Sequence, residues 1–140
     1  EKAVLKEVKL RYPYEELLTV PGIGKILGIT IMLETGDINR FPTVSDYSSY
    51  CRCVSSKKIS NGKKKGEGNK KNGNKYLAWA YVEAANFMVR YSEPARRWHQ
   101  RKAAKTNKIV AIKALSNKIA RACYFIIKDQ KPFDPKKLFQ

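Results

Sequence analysis

The sequence has little acid, a single histidine, three cysteines and no long apolar run. Twelve Asp and Glu stand against 29 Lys and Arg in 140 residues, a formal charge of +17. The shortage is lopsided: residues 1–50 hold 6 Lys and Arg against 7 Asp and Glu, leaving 23 against 5 for the remaining 90. Cys51, Cys53 and Cys123 are odd in number and form no C-x-x-C pair, which argues against a disulfide framework and a zinc site alike. They are expected to be reduced, partly buried thiols in a cytoplasmic protein. His99 sits in "RRWHQRK" with no second His and no acidic ligand at metal spacing, so a solvated surface side chain is expected and no metal site. No apolar stretch approaches the roughly 20 residues of a membrane span, and no signal-peptide pattern opens the chain.

What is present is basic and apolar together. Hydrophobic residues make up 43% of a 16.0 kDa chain, enough for one modest core. On such a chain a charge block of this size points to a polyanion, because each phosphate neutralised by Lys or Arg releases counterions. A soluble basic surface or a ribosome-type contact would carry the same charge. The opening "EKAVLKEVKL" has Val4, Leu5 and Val8 at helical spacing and no initiating Met. It is expected to be the end of a long amphipathic helix, over residues 1–13, from a missing N-terminal region, with Pro13 closing it.

Period-two alternation is nearly absent, so the fold class expected is mainly α. "YEELLTV" (14–20) predicts a short helix, "PGIG" (21–24) a tight turn, and "KILGITIMLETG" (25–36) a second helix closed by Gly36. "TVSDYSSYCRCV" predicts another short helix with Thr43 or Ser45 as N-cap. A Lys/Gly/Asn-rich loop over 52–74 follows, with no apolar periodicity. Helices are expected over 75–128. Asn74 caps the first, with Leu77, Ala80, Tyr81, Ala84 and Met88 on one face; Ser92 and Pro94 open the second. The last, from about 107 to 128, is expected to bury Ile109, Ile112, Leu115, Ile119, Cys123 and Ile126, with Lys113, Asn117 and Arg121 off that stripe. The tail, 133–140, is expected to be irregular.

Two stretches could carry chemistry. "LLTVPGIGKILGITIMLETGDINRF" has the layout of a helix-hairpin-helix over 14–36: Gly22 and Gly24 let the backbone approach a phosphate, the following helix start presents N–H groups, and Lys25 adds charge. An αα-hairpin that merely needs glycine for its turn has the same pattern. In "KISNGKKKGEGNKKNGNKYLAWA", Lys57, Lys58, Lys63, Lys64, Lys65, Lys70, Lys71 and Lys75 could form a flexible electrostatic arm. Ser60, however, precedes the turn pair Asn61-Gly62, which displays its hydroxyl among cations. A nucleophile surrounded by positive charge is what phosphoryl transfer requires. The only nearby carboxylate is Glu67, which is expected to be solvated.

The order "LLTVPGIG", "TGDINRFPTVSDYSSYCRCV", "SNGKKKGEGNKKNGNKYLAWAYVEAA" resembles the C-terminal transposase domain of the insertion sequence 110 family, closest to its 1111 subgroup, from about Leu17 to Pro132. There a hairpin turn is followed by G-D-x-x-R-F, a short helix ending in a Y-x-G-L-type corner, an S-x-G turn, and K-x-G-N-x-x-L entering a long helix. The resemblance implies a serine-dependent DNA recombinase whose nucleophile is Ser60, within a C-terminal domain over 14–132. Gly62, Gly73 and Asn74 would shape the loop, and Lys63 and Lys75 would contact phosphate. With Gly22, Gly24, Lys25, Asn61, Lys64, Lys65, Lys70 and Lys71, these are the expected DNA contacts. It also implies a structured guide RNA, a dimer or tetramer of the full-length protein, action at the nucleoid of a bacterium or archaeon, and Mg²⁺ held by four acidic residues of a missing resolvase-like domain, with no cofactor in this fragment. One departure stands out: Arg52-Cys53-Val54-Ser55 replaces the family's frequent Gly-Leu-x-Pro. The alternative of another class is a non-catalytic helix-hairpin-helix module that binds DNA or RNA.

Overall fold

Helix starts in this chain follow its capping residues. A computed structural model describes residues 11–52 and 73–139, and every regular element among them is helical. They are α1 (Arg11–Leu17), α2 (Lys25–Thr35), a 3-10 turn (Ile38–Arg40), α3 (Val44–Tyr50), α4 (Lys75–Tyr91), α5 (Glu93–Lys105), α6 (Lys108–Asp129) and α7 (Pro135–Leu138). Thr43, and not Ser45, caps α3: it forms a reciprocal capping box with Asp46. Asn74 caps α4, Ser92 caps α5 with Pro94 just inside, and Asn107 caps α6. The mainly α class is as expected.

Four expectations need correction. Pro13 lies within α1 rather than after a helix end. Ile109 is not on the buried stripe of α6 but 79% exposed, and Ile112 is only half-buried. Counting back from Leu115 at about 100° per residue puts Ala111 on the buried face and Ile109 about 120° from it, so the small residue packs and the large one does not. The tail is not irregular: Asp134 caps α7, Leu138 is buried, and Phe139 lies 6.2 Å from the Trp98 ring. His99 is half-buried, with Nε2 enclosed, rather than solvated.

The core lies where α6 packs against α3, α4 and α5, with α2 laid across α4. Leu77, Ala80, Tyr81, Ala84 and Met88 of α4 are buried, as their spacing predicts, opposite Leu115, Ile119 and Cys123 of α6. Each fully buried aliphatic side chain stabilises the fold by about 1.5–3 kcal/mol. Tyr47 sits at the centre. Its ring is 5.2 Å from Phe41, 5.8 Å from Tyr124 and 6.3 Å from Tyr81. Its hydroxyl meets Thr35 Oγ1 at 2.7 Å and Tyr81 Oη at 2.8 Å, so three buried hydroxyls satisfy one another. Burial pushes the Tyr47 and Tyr81 phenols well above their ordinary value. Cys51 and Cys123 are fully buried near this centre.

Candidate nucleic-acid interface

The hairpin turn uses its two glycines differently. Gly22 has φ +101°, and a Cβ there would run into the backbone of Ala84 and Met88, so the turn is seated directly on α4. Gly24 lies at the surface with nothing near an added Cβ, and no side chain caps α2 after it. The first N–H groups of α2 and the exposed Lys25 therefore face outward together. Gly28 holds the hairpin's other contact, with an added Cβ only 3.1 Å from the Tyr14 ring.

The segment GDINRF builds a corner. Gly36 closes α2 at φ +64°, and the Asp37 carboxylate accepts from Asn39 N at 2.9 Å. Arg40 folds back, its Nε and Nη2 donating to Thr35 O at 3.1 and 2.8 Å, while its guanidinium lies 4.7 Å from the Phe41 ring and 4.8 Å from the Tyr50 ring. A cation thus covers the carbonyl end of α2. Tyr50 takes part on its other side as well. Hydrogen bonding from Asn74, then from Arg40, lowers the Tyr50 phenol below its ordinary value.

Asn74 is the junction of three helices. Its N–H donates to Tyr50 O at 2.7 Å, and its Oδ1 accepts from the Tyr76 and Leu77 N–H groups at 2.9 Å. Its Nδ2 donates to Glu34 Oε1 at 2.8 Å and to Tyr50 Oη at 3.3 Å. Next to it, a Cβ on Gly73 would meet the Arg52 stem and Tyr50 O. Arg52 itself has φ +58°, the left-handed conformation that glycine prefers. The corner at Arg52 therefore has a backbone angle that glycine favours, held in part by Lys113 Nζ donating to Arg52 O at 3.2 Å. Arg52 and Gly73 touch, so the two residues lie at one point of the frame.

Of the expected site residues, Ser60, Asn61, Gly62, Lys63, Lys64, Lys65, Lys70 and Lys71 lie outside the described residues, as do Lys57, Lys58 and Glu67. Gly22 and Asn74 are committed to the protein's own frame. Gly24, Lys25 and Lys75 are at the surface. A further basic face was missed by sequence reasoning: Arg97, Arg101 and Lys105 on α5 and Lys108 at the start of α6 are all exposed. Helical spacing aligns Arg97, Arg101 and Lys105 on α5, a signal present in "RRWHQRKAAKTNK". The ion pairs among the described residues are Glu93 with Arg96 at 2.7 Å and with Arg97 at 3.6 Å, so most of these cations are not neutralised within the domain. No three His, Cys, Asp or Glu side chains come together as a metal site among the described residues. No helix there is long and apolar enough to cross a membrane.

A helical frame with exposed, mostly unneutralised cations suits a polyanion. The family model described as Transposase IS116/IS110/IS902 family matches residues 14–100, and the chain belongs to that family. Its role is accordingly that of a transposase, a DNA-rearranging enzyme whose partner is DNA. The match spans the hairpin, the GDINRF corner, α3, α4 and the first half of α5; α6 and α7, which complete the core, lie beyond it. No curated protein and no solved structure matches the chain.

Proposed function

We propose that this domain supplies a serine nucleophile, Ser60, for DNA strand cleavage and rejoining. The Ser60 oxygen attacks a backbone phosphorus, a phosphoserine ester forms, and the broken strand leaves as a deoxyribose hydroxyl that takes up a proton. Attack on that ester by a hydroxyl of another strand reverses the chemistry, so the phosphodiester bond energy is conserved. The observation that carries this reading is the single-point root of the Ser60-bearing segment, built from Arg52, Gly73 and Asn74, in a chain of the transposase family. A root held on three helices sets where the segment meets DNA, while Lys25, Lys75 and the α5 face hold the flanking phosphates.

The full-length protein would bring a structured guide RNA, a dimeric or tetrameric arrangement, and an acidic domain holding Mg²⁺, and would act on DNA in the cytoplasm. The test uses the full-length parent with its guide RNA and a nicked target that traps intermediates. An SDS-resistant protein–DNA adduct that maps to Ser60 by peptide mass, and is absent in Ser60→Ala, is the expected result. Normal strand transfer in Ser60→Ala with no adduct in this domain would sink the reading and leave a non-catalytic binding module.

A further inference from the structure

Tyr76 and Trp79 are two large aromatic side chains on the first turns of α4, and they remain 54% and 49% exposed. They are three residues apart and about 60° from each other round the helix, Trp79 opposite the buried Leu77, Ala80, Tyr81, Ala84 and Met88 and Tyr76 at the edge of that buried face. Neither completes the core, and a pair of neighbouring exposed aromatics is a feature that a domain of this size keeps for a partner. The surroundings say which kind of partner. Asn74, the root residue, caps this helix, so Trp79 lies within about 8 Å of the root along the axis at 1.5 Å per residue. Lys75 is exposed with Nζ 5.4 Å from the Tyr76 ring centroid, and Lys113 reaches Arg52 at the same root. Glu34 is already bonded to Asn74, and Glu83 lies one turn beyond Trp79.

We propose that Tyr76 and Trp79 form a stacking platform for unpaired bases of a single-stranded nucleic acid, with Lys75 and Lys113 holding the adjoining phosphates. Resting on the DNA-handling reading above, this names the form of nucleic acid that the loop root takes: a strand whose bases are open rather than paired. Every base has a π-face, so aromatic stacking accepts any sequence, and cations beside the rings complement the backbone that runs between stacked bases. A duplex has its bases stacked on one another and offers these side chains no open face. An apolar protein surface would have no use for the cations.

Trp79 reports on its own occupancy once Trp98 is replaced. In the 140-residue chain carrying Trp98→Phe, emission is followed while a single-stranded oligo-dT, and separately a duplex of equal length, is added at two salt concentrations. Expected are quenching by the single strand but not by the duplex, and a loss of about tenfold in single-strand affinity in Tyr76→Ala and in the otherwise unmodified Trp79→Ala. Duplex affinity and its salt slope should stay within twofold, and Trp79→Phe should recover most of the loss where Trp79→Leu does not. Unchanged emission with the single strand bound, equal losses on single strand and duplex, or full recovery by Trp79→Leu overturns the platform and leaves duplex binding by the basic faces standing. Loss of self-association in Trp79→Ala with unchanged nucleic-acid binding assigns the surface to a second copy and overturns it too. Failure of both nucleic acids to bind overturns the platform together with the DNA-handling reading.

Discussion

The Asn74 side-chain amide donates to the Glu34 carboxylate at 2.8 Å, joining the end of α2 to the start of α4 across 40 positions of sequence. Around that bond, Tyr50 accepts from the Asn74 backbone and side chain, so one residue ties three helices at the place where the basic segment is rooted. Asn74→Ala removes a helix N-cap and this bond together, and should cost about 2 kcal/mol. Urea unfolding measures it. The double-mutant cycle with Glu34→Ala should show a coupling of about 1 kcal/mol; additive losses would mean that the bond contributes nothing.

The two hairpin glycines separate packing from binding. Gly22→Ala places a Cβ against the α4 backbone at a positive φ, and should destabilise by about 3 kcal/mol through strain and displacement of the turn. Gly24→Ala enters open space at φ −101° and should stay within about 0.5 kcal/mol. Equal unfolding midpoints for the two variants would contradict the seating of Gly22.

Arg52 carries a glycine's backbone angle without being glycine. Arg52→Gly should therefore leave stability within about 1 kcal/mol of the parent, the relief of the left-handed strain offsetting the added freedom of the unfolded chain. Gly73→Ala, which collides with the Arg52 stem and Tyr50 O, should cost about 2 kcal/mol, and less in the Arg52→Gly background. Thermal melts of the four chains of that cycle test the contact.

Alkaline pH should unfold the domain through its central tyrosines. Tyr47 and Tyr81 keep their protons in the fold well above the ordinary phenol value of about 10, whereas the unfolded chain releases them near it. Above that pH the unfolded state holds fewer protons than the native state, so stability is full below about pH 10 and falls as pH rises towards the folded values. The slope is about 1.4 kcal/mol per pH unit for each tyrosine. Tyr47→Phe removes one of the two titrations and should halve that slope, even though it lowers stability at neutral pH by leaving Thr35 and Tyr81 without their shared partner.

Salt dependence should count the phosphate contacts of the basic face. Arg101→Gln and Lys105→Gln, each exposed on α5, should leave folding unchanged and reduce the slope of log affinity against log salt by about 1 each on duplex DNA. An unchanged slope removes α5 from the interface.

Much of the frame was legible because it rests on local chemistry. Asn74 and Ser92 as caps, Gly36 as a helix stop, and the α4 face of Leu77, Tyr81 and Met88 follow from spacing of a few residues, where side chain and backbone are already neighbours. Ile109 misled because apolar character was counted without the helical angle. The tail differs from expectation because Asp134 before Pro135 is a helix start. The α5 face was overlooked because cations spaced at helical intervals look like ordinary solvated surface until the helix on which they align is in place.

By itself the sequence determined a mainly helical chain with two opposed habits: an apolar set large enough to close one core, and a positive charge gathered after residue 50 that seeks a polyanion. Which residues became frame and which stayed free was decided by the tertiary structure. Two glycines two positions apart have the same chemistry in the chain, yet one lies against α4 and the other faces solvent, because only the folded hairpin brings Ala84 and Met88 to Gly22. Likewise nothing local to Asn74 specifies Glu34 or Tyr50. Their meeting depends on α2, α3 and α4 packing as they do, and that packing is a property of the closed core rather than of any one segment.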